Sequence, residues 1–425
     1  MKLESYWLDT APPFGAAAPG PVEGRVDVAV VGGGFTGLSA ALALARKGAS
    51  VVVLEGGRVV GEASGRNGGH CNNGLAHDFG GTVASLGAER ALALYRAYDA
   101  AVDTVEALVA AEGIACDFRR AGKIKLAAKP GHFAKLERSH AALVREADPE
   151  ARLLGPGELA AEIGSDAFHG AIIHPRSALL HVGRFGVGLA EVAARNGARI
   201  HENALVTAID RLPGGGRRLR TAIGSVEAGQ VLLATGTSIR GPLFHFRRRI
   251  IPVGSFLIAT EPLGCARIDA IMPTRRTATT TRIIGNYFRV SPDERLIFGG
   301  RARFAMSSPT SDARSGQVLE RAMLDIFPQL AGTRIDYCWG GLVDMTADRF
   351  PRAGEHDGLF YSMGYSGHGV QMSVHMGQVM AEVMGGNPAA NPWRAFAWPA
   401  IRGHFGPPWF LPFVGAWYRL QDRLH

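Results

Sequence analysis

The sequence predicts an α/β protein in which a parallel sheet is assembled from separated stretches of chain, with a mixed, largely antiparallel sheet inserted between them. Three observations predict it. Residues 26–55, "VDVAVVGGGFTGLSAALALARKGASVVVLE", read strand, glycine turn, helix, strand. A second strand, glycine-rich turn and helix start, "GLFYSMGYSGHGV", follows about 300 residues later at 358–370. Between them, residues 250–260 and 283–304 alternate in the manner of antiparallel strands. With 425 residues, 47% hydrophobic and 20% charged, the chain exceeds the ~100–200 residues of an ordinary domain, so two domains are expected.

In chain order, the apolar run 26–31 predicts a buried strand. Gly32, Gly34 and Gly37 form GxGxxG at the strand-to-helix turn, and Gly48 ends the helix. The second strand runs out at Glu55, 18 positions after Gly37. The first glycine makes a tight turn, the second admits a pyrophosphate to the backbone, and the third lets helix pack on strand. The helix N-terminus offers unpaired N–H groups to phosphate, and the carboxylate accepts from a ribose hydroxyl. Helices follow from about 81 to 113. A hairpin-like pair at "CDFRRAGKIKLAAK" and a charged helix to about 150 come next. Residues 188–210 read helix, glycine, strand, a return to the parallel sheet. "AGQVLLATGTS" at 228–238 is another buried strand, and "SPDE" is the turn within 283–304.

Composition narrows the class. Cys71, Cys116, Cys265 and Cys338 are scattered, without CxxC or metal spacing, which predicts a reducing, cytoplasmic setting and no metal site. The start "MKLESYWLDTAPPFG" does not read as a signal peptide, and no apolar run approaches the ~20 residues of a membrane span. The formal charge of +8 is spread along the chain. Its one dense run, Arg247-Arg248-Arg249, reads as a solvated loop, so nucleic acid is not an expected partner.

The dinucleotide unit alone leaves nicotinamide and flavin open. The second glycine turn decides for flavin, because it implies a distant second grip on one long cofactor. A helix start there can face the pyrimidine carbonyl of an isoalloxazine and stabilise the charge gained on reduction.

These blocks, with "GEASGRNGGH", "ATG", "IATEPLG", "RLIFGG", "FPQLAGTRIDYCWGG" and the tail "GAWYRLQDRL", resemble the D-amino-acid oxidase/glycine oxidase/sarcosine oxidase superfamily of FAD enzymes, nearest its gamma-glutamylputrescine oxidoreductases. The resemblance spans nearly the whole chain. It implies a Rossmann-like FAD-binding domain from residues 1–80, 150–240 and 335–395. The substrate domain would comprise 81–149 and 241–334, and 396–425 would be an aromatic tail. It implies that Gly32, Gly34, Phe35, Thr36 and Gly37 hold the pyrophosphate side and Glu55 the ribose. Ser64, Arg66, Asn67 and Gly68 would line the flavin and its ribityl chain, Val206 the adenine. Gly236 would approach the dinucleotide, and Gly367, His368, Gly369 and Val370 would face the pyrimidine. FAD would be held non-covalently. Cys338, two residues short of a family attachment point, reads as a buried thiol.

The chemistry implied is hydride transfer from an amine-bearing carbon to flavin N5, then imine hydrolysis and reoxidation by O2 or another acceptor. A catalytic residue is not identified; Arg301, His181 and Tyr287 are candidates, and His181 also reads as a packed, hydrogen-bonded residue. Tyr287, Asp344 and Tyr365 are candidate substrate contacts, with Asp344 equally readable as a turn carboxylate. Val343 stands where relatives that act on amino acids place an arginine for the carboxylate. That disfavours free α-amino acids and favours an amine or N-acylated polyamine. No lysine follows Lys135, so the lysine that sarcosine oxidases place late in the chain has no counterpart; Arg301, a histidine, or the pair Lys123 and Lys125 would have to serve. The alternatives are a flavin-holding electron-transfer subunit of a hetero-oligomer and an amino-acid oxidase. The tail "FGPPWFLPFVGAWYRLQDRLH" reads as an amphipathic helix docked on the protein, on a partner or on a membrane surface.

Overall fold

The computed structural model describes residues 1–238, 241–300 and 309–424. Strand β1 (Arg25–Val31) turns into helix α1 (Phe35–Arg46) and returns as β2 (Val51–Leu54). Helix α2 (Ala88–Glu112) leads to β3 (Lys123–Leu126), and helix α3 (Val182–Arg195) to β4 (Arg199–His201) and β5 (Gly224–Leu233). Strands β6 (Ile251–Thr260), β7 (Thr277–Thr280), β8 (Asn286–Val290) and β9 (Leu296–Gly300) precede helix α4 (Pro309–Ile326) and strand β10 (Ile335–Met345). Strand β11 (Leu359–Met363), helix α5 (Gly369–Met384) and helix α6 (Leu411–Leu424) complete the chain.

The first sheet has the order β11-β5-β1-β2-β4, all parallel, with residues 352–356 antiparallel at the β11 edge. Its central strands are built from Val, Leu and Ala that are buried on both faces, as a covered parallel sheet requires. Register pairs Val31 with both Leu54 and Leu233, so the C-terminal ends of β1, β2 and β5 finish level. Ligands of open α/β sheets bind at that edge. Helices α1 and α5 cross backbone to backbone over the sheet. A Cβ on Gly377 would lie 2.6 Å from the Thr36 carbonyl and 2.8 Å from the Ala40 nitrogen.

The second sheet has the order β10-β6-β9-β8-β7-β3, extended by residues 171–174 and 152–154. Period-two alternation divides it into two faces. Ile124, Leu126, Phe256, Ile258, Ala278, Phe288, Phe298 and Cys338 form an apolar core beneath α4. Lys123, Lys125, Thr279, Tyr287 and Val343 lie on the opposite face, towards the first sheet.

Two local expectations change. No hairpin forms at 116–129: β3 pairs parallel with β7 and antiparallel with 171–174, while Arg119 forms an isolated bridge with Leu179. Gly122, at φ +78°, breaks the extended run between them. The stretches 152–154, 171–174 and 335–345, read from sequence alongside the FAD-binding segments, supply strands to the second sheet. β10 pairs with β6 along nearly its whole length, a long-range match that local pattern does not encode.

The tail docks. Leu411, Val414 and Tyr418 of α6 pack on Val253 and Met345, and the Asp422 carboxylate accepts from the Ile283 and Ile284 N–H groups at 2.8 Å each. Phe413, Trp417, Leu420 and Leu424 on its outer side are exposed. No helix of the described residues is long and apolar enough to cross a membrane.

Candidate functional site

The two sheets enclose a cavity of about 990 Å³ above the C-terminal ends of β1, β2 and β5. At its base, Gly32 takes φ +110°, a left-handed conformation that suits glycine. A Cβ on Gly37 would lie 2.0 Å from the Gly32 carbonyl oxygen, so only hydrogen fits where α1 leaves the strand. The Glu55 carboxylate accepts from the Gly33 N–H at 2.7 Å and the Gly57 N–H at 2.8 Å, bracing the turn. Burial raises its pKa, and those two N–H groups work against the rise. At the N-terminus of α1, the Phe35 N–H donates to Ser64 Oγ at 3.0 Å.

The loop 61–69 is stitched on both sides. Arg66 donates to the Gly61 and Gly340 carbonyls at 2.9 and 3.0 Å, and its own carbonyl accepts from the Trp339 indole at 2.9 Å. The Asn67 side chain accepts from the Gly69 N–H and donates to the Ala63 and Ser64 carbonyls, while its carbonyl accepts from the Trp7 indole at 2.7 Å. Gly68 then sits against the ring of Tyr287, whose hydroxyl shares a 2.8 Å hydrogen bond with Ser255.

On the far side, the turn 364–369 enters α5. The Asp344 carboxylate accepts from the Gly364 N–H at 2.6 Å and its carbonyl from the Ser366 N–H at 3.1 Å. Asp344 thus shapes this turn while lining the cavity, and burial lifts its pKa to about 6. The Tyr365 hydroxyl lies 2.8 Å from Thr36 Oγ1 and 2.9 Å from Ser362 Oγ, tying α1 to the second glycine turn. Three buried polar atoms of residues that line this space have no hydrogen-bond partner: His70 Nε2, His368 Nδ1 and Gln371 Oε1.

Every predicted cofactor position except Gly37 lines this one cavity: Gly32, Gly34, Phe35, Thr36, Glu55, Ser64, Arg66, Asn67, Gly68, Val206, Gly236, Gly367, His368, Gly369 and Val370. Gly37 lies behind it, as the contact between helix and strand. Tyr287, Asp344, Tyr365 and Val343 line it too. His181 does not; it is fully buried, accepts from the Arg184 N–H to cap α3, and shares a 2.9 Å hydrogen bond with Thr10. Arg301 lies outside the described residues. Cys338 points to the opposite face of the second sheet, its thiol donating to the Asp312 carbonyl, and Cys71 is enclosed in the core. Sequence reasoning passed over His70, which closes the "GEASGRNGGH" block, and Gln371, which directly follows "SGHGV". Lys123 and Lys125 were weighed there only for oxygen; their i, i+2 spacing already places both on one strand face.

The buried histidines, His70 and His368 on the cavity wall and His174, His181 and His375 beyond it, are neutral. Burial holds His70, His181 and His368 down to about 3 and His174 and His375 to about 4. In the unfolded chain each charges near 6.5. The unfolded state therefore binds more protons between about 6.5 and 3, and stability falls with pH across that window. Asp344, raised rather than lowered, works in the opposite direction from a single site. The melting temperature is expected to fall by several degrees between pH 7 and pH 5; a flat or rising profile would contradict the buried, neutral assignment.

The cavity suits FAD on three counts: the glycine cradle that a Cβ would fill, N–H-bearing helix starts at both ends, and unpartnered polar atoms between them. Comparison with known proteins agrees. Residues 27–383 match the family model described as FAD dependent oxidoreductase. The chain is 32% identical over 405 residues to the gamma-glutamylputrescine oxidoreductase of Escherichia coli K12, covering 94% of this chain and 93% of the relative. It is 31% identical over 412 residues to a probable oxidoreductase OrdL of Haemophilus influenzae, with 94% and 93% covered. The crystal structure of glycine oxidase from Geobacillus kaustophilus superposes with a TM-score of 0.69 at 22% identity, over 90% of this chain and 100% of that one, a likeness of fold. The chain belongs to the FAD dependent oxidoreductase family that includes glycine and sarcosine oxidases, and it is an FAD-dependent enzyme.

Proposed function

We propose that the enzyme oxidatively deaminates an amine of the gamma-glutamylputrescine type, a diamine acylated at one end. The observation that carries this is Val343, an apolar side chain on the cavity wall at the position where the resemblance expects an arginine for an α-carboxylate. A guanidinium holds a carboxylate by a two-pronged hydrogen bond that valine cannot make. The relative named for gamma-glutamylputrescine supports the same direction.

Bound non-covalently in the cavity, FAD supplies the two-electron acceptor for a hydride from the amine-bearing carbon. The protein's part is placement. Gly32, Gly34 and Glu55 would fix the dinucleotide, and the Arg66–Gly68 loop and the His368 turn would fix the ring. Tyr287 would form one wall for the substrate, with Tyr365 and Asp344 near the second glycine turn. Neutral histidines offer no charge against a substrate amine. Water then hydrolyses the imine, and O2 is the proposed final acceptor. Four unpaired cysteines suit a reducing, cytoplasmic setting.

The test is anaerobic mixing of the yellow protein with a panel of amines and amino acids. Gamma-glutamylputrescine is expected to bleach the flavin band at least tenfold faster than glycine or D-alanine, and Val343→Arg to narrow that gap. Bleaching by α-amino acids alone would overturn the reading. Bleaching without peroxide on readmission of air would favour an electron-transfer subunit.

A further inference from the structure

We infer that Lys123 and Lys125 form a carboxylate subsite at the β3 end of the cavity, gripping an acidic group on the substrate remote from the carbon being oxidised. This rests on the amine-oxidation reading above and adds to it the end of the substrate that is recognised.

Strand β3 reads Lys-Ile-Lys-Leu, and its alternation buries Ile124 and Leu126 in the apolar core while both lysines line the cavity. Two ammonium groups side by side inside a protein repel one another and lose hydration, so the arrangement calls for an anion. The protein itself supplies little. Lys123 Nζ donates to the Asn73 carbonyl at 2.9 Å and feels the Asp148 and Asp99 carboxylates, while Lys125 makes no hydrogen bond among the described residues. The nearest acidic influence on Lys125 is Asp78, whose carboxylate is occupied in capping the helix that starts at Phe79. Burial pulls the pKa of both lysines down, Lys123 to about 7. An entering carboxylate would reverse that penalty.

Charge along the wall points the same way. Arg282 and Arg349 line the cavity with the two lysines; of its carboxylates, Glu55, Glu62 and Asp344, the first and last are already held by backbone N–H groups. A free diamine carrying two positive charges is a poor match for such a wall. An amine with a carboxylate at its other end is a good one.

Spacing agrees. Val343 on β10 and the lysines on β3 stand at opposite ends of one sheet face, five strand intervals or ~24 Å apart. Tyr287, beside the Gly68 loop, is on β8, two intervals or ~10 Å from β3. In a gamma-glutamylated diamine the oxidised carbon and the carboxylate are separated by about nine bonds, which extend to roughly 10 Å. A carbon placed against Tyr287 would therefore set its carboxylate on the lysines.

The experiment compares gamma-glutamylputrescine with N-acetylputrescine, which keeps the amine and amide but lacks the carboxylate and the α-ammonium beside it, on holoenzyme carrying Lys125→Met, Lys123→Met or Lys125→Arg. The methionine variants are expected to raise KM for the glutamylated amine by ten- to a hundredfold with little change in kcat. Their kcat/KM should fall at least tenfold more for that substrate than for the acetylated one, and Lys125→Arg should recover part of the loss. Equal losses on both substrates, or a kcat loss with an altered flavin spectrum, would overturn the subsite and move the lysines to the flavin. Glutarate separates this inference from the function on which it rests. Its binding, read as a shift of the flavin band, needs no turnover and should weaken tenfold or more in Lys125→Met. If no amine is oxidised but that weakening is seen, the subsite stands and the proposed reaction falls; equal glutarate binding by both proteins overturns the subsite.

Discussion

Gly37→Val is expected to leave the purified protein colourless. The added Cβ would lie 2.0 Å from the Gly32 carbonyl oxygen and 3.1 Å from a Val30 methyl, so the first contact is with backbone at the cradle itself. Overpacking of a core that can adjust costs ~1–3 kcal/mol. Here neither side can give without moving α1 off β1, so a cost above ~3 kcal/mol is expected. Movement of α1 also carries the Phe35 N–H away from Ser64 and breaks the level edge on which both glycine turns converge. A displaced helix N-terminus no longer aims its N–H groups at phosphate. Flavin absorbance per protein should drop below about one-tenth of wild type, corresponding to more than ~1.4 kcal/mol of binding energy. Gly131→Ala is the control, because a Cβ there meets nothing within 4 Å. A Gly37→Val protein that stays yellow, with a wild-type spectrum, would show that the cofactor does not rest on this turn.

The parts of the site that sequence revealed are those whose chemistry is local. A strand, three glycines, a helix and a carboxylate lie within thirty residues, and each demands a residue type that few other settings demand. The 358–370 turn was legible for the same reason. The expected hairpin at 116–129 failed because a strand pattern specifies a face and leaves its neighbour open; β3 found partners at 171–174 and 277–280. His181 sits in "ALLHVGRF" as a helix cap, a role set by geometry at its own N–H neighbours and shared with many ordinary caps. Nothing in "MKLESYW" announces that Trp7 will be fully buried and donate to the Asn67 carbonyl, locking the 61–69 loop from behind. Gly377, one glycine in a helix, marks a backbone contact with α1 that becomes visible only once the helices cross. Long-range contacts of this kind carry no local signature, and they are what turns separated motifs into one cavity.

Arg289→Met is expected to destabilise the protein by about 2–3 kcal/mol, although no motif includes the residue. Arg289 is wholly buried on β8 at the seam between the two sheets. Its guanidinium donates to the Gly69 carbonyl at 2.7 Å, the Leu180 carbonyl at 2.8 Å and the Val290 carbonyl at 3.2 Å, and it lies 5.2 Å from the centre of a Trp7 ring. Methionine keeps much of the apolar stem and removes every donor. The Leu180 carbonyl would lose this partner in a dry setting, at about 1–3 kcal/mol, while the Gly69 carbonyl keeps the Leu180 N–H at 3.3 Å and loses less. The effect should reach the cofactor, because Gly69 ends the loop in which Arg66, Asn67 and Gly68 line the cavity. Denaturant unfolding should show the stability loss, and FAD should dissociate faster on dilution than from the wild type. Arg289→Lys retains a charge but lacks the fork that spans two carbonyls, so it should fall between the two. A stability change below ~1 kcal/mol in Arg289→Met, with flavin retained, would mean that the seam is held by apolar packing of the sheets and that the arginine adds little to it.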